Sequence, residues 1–278
     1  MVARCATADA ARHQAIRRHA ARMSPGPARR CRLGINQLDS HRGPFIMNAI
    51  FLLLADVLLI LAGVIYGVKF LRKRNYLCGI EWFIMALSGS HFLLWALFGW
   101  ESGYSVAHFF DAFSRSFGFP VVAVAGMMAV THNYQPSRLA DVLYFLLGFA
   151  GAAALVAADH APALAVYKPP FYLLMGLVFL VFLAYFAWRL QKAGETLHAM
   201  GTAVVALSGL AIAVLYDYVP LPGDDADRTL FYTAALFTWT FMMAELYYGY
   251  SALERATQPR FGVYSSEPIA NTRVRRHA

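Results

Sequence analysis

The stretch His108-Phe109-Phe110-Asp111-Ala112-Phe113-Ser114-Arg115 sets a histidine and two opposite charges inside an apolar run. On a helix, positions 108, 111 and 115 share one face. Asp111 and Arg115 have the i, i+4 spacing of an intrahelical ion pair. Gly118 extends that face by a turn. Pro120 cannot donate to the carbonyl of Ser116, which predicts a kink and a free acceptor. Two readings are open. Arg115 holds an anionic group in a polar cavity while Asp111 fixes the guanidinium, or the pair neutralises itself so that one helix tolerates its surroundings. His91, His108 and Asp217 fall in the same group by depth. The candidate substrate-binding residues are therefore Asp111, Arg115, His91, His108 and Asp217.

Three more carboxylates interrupt apolar runs: Asp56, Glu81 and Glu245. Ionisable groups inside a span are costly and usually face the bundle interior. Glu81 and Glu245 lie toward the face opposite the first group and have no basic residue close in sequence, which suits proton coupling or acid catalysis. The plainer reading is that each reaches water or bonds a neighbour. Asp56, between Leu54 and Leu58, is more central and harder to explain by reach to the interface; its plainer role is a polar contact between helices. All three are candidate proton-coupling groups, and Glu81 and Glu245 are also the candidate catalytic acid and base.

Metal and cofactor chemistry find little support. A metal site needs three or four ligands, and only His91 and His108, with Asp111 and Asp217 as possible partners, come into question. No HExxH, phosphate-binding glycine loop, GxSxG or Cys/His signature is present. Cys5, Cys31 and Cys78 have no metal-ligand spacing and imply no disulfide framework. The expectation is no metal and no cofactor.

The elements that must position these residues are membrane helices. Of the 278 residues 59% are hydrophobic and 14% charged, against about 25% charged in a soluble domain. Apolar runs of about 20 residues, the length that crosses a hydrocarbon core, recur at 47–70, 76–100, 105–131, 139–158, 169–190, 197–219 and 229–250. Only helices satisfy their own backbone in lipid within one segment. The fold class is all-α: a seven-helix transmembrane bundle over 47–250, with a polar tail at 251–278. The last span has no lysine, which excludes a retinal Schiff base despite the matching helix count.

Connections are basic on one side, with Lys69, Arg72, Lys73, Arg74, Arg138, Arg189, Lys192, Arg255 and Arg260. They are acidic on the other, where Glu101, Asp159, Asp224, Asp225 and Asp227 outnumber Lys168 and Arg228. Basic loops stay in the cytoplasm, so the N-terminus is expected outside and the C-terminus inside. Trp100, Tyr104, Tyr172 and Tyr218 on one side, and Tyr76, Trp188, Tyr247 and Tyr248 on the other, read as interfacial belts. Residues 1–46 hold nine arginines against Asp9 and Asp39, most of the net +8. A transit-like segment or sequence upstream of a true start at Met47 accounts for this arm; the second is preferred. Nucleic-acid binding is set aside because the rest of the chain is membrane.

Sliding the chain by 120 residues lays Lys69 on Arg189, Arg72 on Lys192 and Ala86-Leu87-Ser88-Gly89 on Ala206-Leu207-Ser208-Gly209. It gives eight identities over the 50 pairs from 51/171 to 100/220. Spans 1–2 then match spans 5–6, which suggests two parallel three-helix repeats around a linking fourth helix. That architecture resembles sugar transporters of the SWEET type, although spans 1 and 5 lack their interior proline. The segment Ser116-Phe117-Gly118-Phe119-Pro120-Val121-Val122 through Ala129-Val130-Thr131-His132 resembles uncharacterised proteobacterial seven-helix inner-membrane proteins described as membrane proteins or transporters. The resemblance implies a bacterial inner-membrane location.

The leading functional expectation is secondary transport of a small polar or anionic solute. The alternative is a membrane-embedded enzyme acting on a lipid or isoprenoid, with Glu81 and Glu245 converging at one depth. A sensor or an assembly factor of a membrane complex is a third reading. The partners expected are the lipid bilayer and a small-molecule solute, and a homo-oligomer is compatible with the sequence.

Overall fold

The computed structural model describes residues 42–225 and 228–257, with only the backbone described for 42–47 and Pro162. Most of the arginine-rich arm, the tail beyond Thr257 and Asp227 lie outside the described residues, so the expectations placed on them do too. Seven long helices make up the fold. They are α1 (Arg42–Arg72), α2 (Tyr76–Phe98), α3 (Glu101–Thr131), α4 (Arg138–Ala157), α5 (Lys168–Lys192), α6 (Thr196–Asp217) and α7 (Thr229–Thr257). Among the described residues there is no strand.

Six helices, α1 to α6, are long and apolar enough to cross a membrane, as in a multi-pass integral membrane protein. The seventh, α7, spans 29 residues and is more polar. Its position explains this: α7 packs against both α1 and α6 and buries twelve residues from Thr229 to Leu253. Polar groups in a span are tolerated where they face the bundle interior. The helix also continues to Thr257, a turn or more past the expected end at 250.

Six helices close into a ring: α1 packs on α2, α2 on α3, α3 on α5, α5 on α6, α6 on α7, and α7 on α1. α4 sits outside it, against α3, with only Gly148 and Ala152 buried. Small residues set the close approaches. A Cβ on Gly63 would stand 2.7 Å from the Trp82 carbonyl oxygen, so α1 and α2 touch through backbone there.

The α1–α2 and α5–α6 connections repeat one another in detail. The Asn75 N–H donates to the Phe70 carbonyl at 3.1 Å, and the Glu195 N–H to Leu190 at 3.0 Å. The Arg74 N–H donates to Leu71 at 2.9 Å, and the Gly194 N–H to Gln191 at 3.1 Å. Arg74 and Gly194 both take left-handed φ, 59° and 83°. Every pair is 120 residues apart, the offset read from the sequence.

α3 is interrupted where Pro120 was expected to bend it. Residues Ser114–Ala123 form a π-helical segment between two α-helical stretches. Pro120, which has no N–H to donate, lies within this segment. Such segments are rare and often mark functional sites.

Candidate functional site

Arg115 is the first residue after the π segment begins, and it faces into the ring. Its Nη2 donates to Asp217 Oδ2 of α6 at 2.6 Å. Asp111, one turn back on α3, is 3.8 Å from Nη1. The expected i, i+4 pair therefore exists in loose form, and the short contact crosses between helices. Asp111 instead accepts from the Tyr216 hydroxyl at 2.8 Å. The guanidinium lies between two rings, 3.5 Å from the Tyr216 centroid and 4.1 Å from that of Tyr172. Tyr172 is thus an inward-facing residue and not part of an interfacial belt. The geometry leaves Arg115 charged, oriented and partly shielded from water.

This cluster opens into a cavity of about 410 Å³ at the end of the bundle that carries the acidic connections. His108, Asp111, Arg115 and Asp217 line it, joined by Asp159, Lys168 and Arg228. Lys168 bonds Asp159, and His108 Nε2 is 3.7 Å from the same carboxylate. Arg228, itself in a left-handed conformation, donates to the carbonyls of Leu215 and Tyr216 at the C-terminal end of α6. Its charge there suits the negative end of the helix dipole. Among the lining residues three aspartates face three basic side chains, so the walls offer both signs in balance.

A second, smaller cavity of about 80 Å³ lies deeper. His108, Asp111, Tyr216 and Tyr232 line both cavities, so the two adjoin. At its far side is Asp56, fully buried, with no hydrogen-bond partner on either carboxylate oxygen. The expected polar contact with Ser or Thr is absent: Ser88 also lines the cavity, but its hydroxyl donates to the Ala107 carbonyl at 3.2 Å.

The opposite, basic end holds a broad vestibule of about 1020 Å³. Lys73, Arg74, Arg138 and Arg189 line it against Asp141 and Glu254. Lys73 is paired with Glu254, and Arg189 bonds the Thr131 carbonyl. Along α2 the vestibule ends at Leu77 and the deep cavity begins at Met85. Between them Cys78, Glu81, Trp82 and Ile84 are buried. Trp82 packs on Phe70 and Phe119, with ring centroids 5.2 Å and 6.0 Å away, and donates to the Met243 carbonyl at 3.1 Å. A packed layer thus separates cavities that open at opposite ends.

Nothing in the collections of family models, curated proteins or solved structures matches this chain.

The remaining candidates go elsewhere. Glu81 is fully buried on α2 and packs against Gly118 of α3, whose added Cβ would be 2.6 Å from the Glu81 Cδ. Gly118 therefore faces Glu81 and does not extend the Arg115 face, because the π turn rotates the residues that follow it. Glu245 packs against Gly201 of α6 and takes a 3.1 Å contact from His198 Nδ1. The two glutamates face different helices. His91 bonds the Leu87 carbonyl of its own helix at 2.8 Å and stacks on Trp100, outside the Arg115 cluster. Among the described residues no three His, Cys, Asp or Glu side chains form a metal-binding group.

Sequence reasoning did not single out Tyr172, Tyr216, Asp159, Lys168 and Arg228 as site residues. The three charges were visible only as loop charges, and no spacing rule links α3 to the end of α6.

Proposed function

We propose that the chain is a secondary transporter of a small polar solute in a bacterial inner membrane, with its acidic end outside and its basic end in the cytoplasm. One observation carries this reading: two cavities enter from opposite ends of a closed helix ring, and the layer of Phe70, Trp82, Phe119 and Met243 divides them. Such a division supports alternating access, with the polar walls of Arg115, Asp111 and Asp217 on the outer path. The charge asymmetry of the connections supports the orientation.

The matching turns at Arg74 and Gly194, and a ring in which α3 joins α5 as α7 joins α1, support two parallel three-helix repeats with α4 as linker. In such folds the solute site lies between the halves; the deep cavity draws its walls from α1 to α3 and from α6 and α7. Arg115 is the group that orients the solute, and its balanced partners favour a solute that is not simply an anion. Asp56, on the wall of the deep cavity, and Glu245, beside His198, are the candidate proton-linked groups. An enzyme built on Glu81 and Glu245 has less support, because they face different helices.

The test begins with purified full-chain protein screened for thermal stabilisation by small polar solutes, followed by uptake of each binder into proteoliposomes. Uptake of a binder by the wild type, lost in a folded Arg115→Gln/Asp217→Asn variant, is the expected result. Binders that never cross the membrane would overturn transport in favour of a receptor.

A further inference from the structure

Asp56 places a buried carboxylate with no protein partner on the wall of the deep cavity. An unpaired carboxylate in an apolar interior is costly and calls for a partner. The rest of the wall points to that partner. Phe92, Tyr104, Tyr232 and Trp239 contribute aromatic side chains, and Leu59, Met85 and Leu236 the apolar remainder. No lysine or arginine lines this cavity, whereas Asp111 adds a second carboxylate at the mouth. His108, at the mouth with Asp111, is the one basic group among its lining residues, so an anion meets no permanent positive charge there. What the cavity offers is a partnerless carboxylate behind its wall beside several aromatic side chains, the combination that recognises ammonium groups.

We infer that the deep cavity is a binding site for the ammonium group of a small organic amine, with Asp56 as its counter-ion and the surrounding rings as its cage. At about 80 Å³ it holds several water-sized positions, which suits an amine of a few heavy atoms and not a bulky ring system. The amine enters through the outer cavity, since His108, Asp111, Tyr216 and Tyr232 border both spaces. Any anionic part of the solute stays behind at Arg115. This deepens the transport reading and rests on it for the direction of entry: the solute is an amine, zwitterionic or singly charged.

Gly89 makes room for the carboxylate. A Cβ there would stand 2.8 Å from Asp56 Oδ1, so α2 leaves the room in which the carboxylate sits. Asp56→Asn removes the charge with little change of shape, and Gly89→Ala crowds it without removing it.

The experiment uses purified full-chain protein in detergent, with propylammonium as the probe and 1-propanol as the neutral control. Thermal midpoint and tryptophan fluorescence are followed across a titration. The wild type should show saturable stabilisation by propylammonium and none by propanol. Asp56→Asn and Gly89→Ala, each checked for a monodisperse helical fold, should bind the amine at least tenfold more weakly. Equal responses of the wild type to both probes, or none to either, would overturn the proposal whatever the variants do, and would leave Asp56 a proton carrier at most. Undiminished amine binding by folded Asp56→Asn would overturn it as well. Binding needs no transport, so amine binding without uptake fails the transport reading alone, and uptake of other solutes without amine binding fails the amine site alone.

Discussion

Arg115 of α3 donates to Asp217 of α6 at 2.6 Å, although Asp111 stands on its own helix at the spacing of an ion pair. The ring is therefore tied at its acidic end by a charge pair between helices 102 residues apart in sequence. Removing one member of a shielded pair leaves the other uncompensated, at a cost of about 3 kcal/mol or more. The modest exposure of these side chains, 14% and 18%, keeps the cost near the lower figure.

Asp217→Asn and Arg115→Gln should each lower the amount of folded protein, and the double change should restore most of it. Asp111→Asn should cost less, about 1 kcal/mol, because it weakens one hydrogen bond from Tyr216 and a long contact to Arg115. Fluorescence size-exclusion profiles after stepwise heating would rank the four variants. A larger loss for Asp111→Asn than for Asp217→Asn would mean that the intrahelical pair is the working one.

The glycines opposite the two glutamates should respond unequally. A Cβ at position 118 meets the fully buried Glu81, which has nowhere to go, so Gly118→Ala should destabilise by about 1–3 kcal/mol. Glu81→Ala in the same chain should relieve most of this, whereas the isosteric Glu81→Gln should not. Gly201→Ala should cost less, since Glu245 is only partly buried and can swing aside, at the expense of its contact with His198. Thermal midpoints of the single and paired variants would decide the matter; equal penalties at 118 and 201 would contradict the difference in burial.

Reporter fusions would establish orientation. Joined after Arg72, Arg138 or Lys192, a reporter should read cytoplasmic; after Gly103, Ala161 or Asp225 it should read external. This alternation also tests α7, the helix least apolar by composition. A fusion after Thr257 that reads on the same side as one after Asp225 would show that α7 does not cross.

The sequence announced the helices because lipid imposes one strong rule, a run of apolar residues of fixed length, and α1 to α6 obey it. It gave α7 as a seventh span but ended it at 250, whereas the helix runs on to Thr257, packed on α1 and α6. On α3 the proline at 120 signalled an irregularity, and it takes the form of a π segment over Ser114–Ala123. His108, Asp111, Arg115 and Asp217 were legible as a group, since buried charges stand out against an apolar background. Their pairing was not, because it depends on how far α6 reaches past α3. Tyr216 and Tyr172 were hidden for the opposite reason: an aromatic at a helix end looks like any belt residue until its ring is found against a guanidinium.

Access from both sides is the central claim, and thiol labelling at position 88 tests it most directly. Ser88 lines the deep cavity, beyond the layer formed by Trp82 and its neighbours as seen from the basic end. Ser88→Cys, in a chain whose three native cysteines are replaced, would be exposed to a membrane-impermeant maleimide in right-side-out and in inverted vesicles. The account predicts labelling in both preparations, faster from the acidic end. Labelling from the acidic end alone, at every time and temperature tried, would contradict it and leave the cavity a closed pocket.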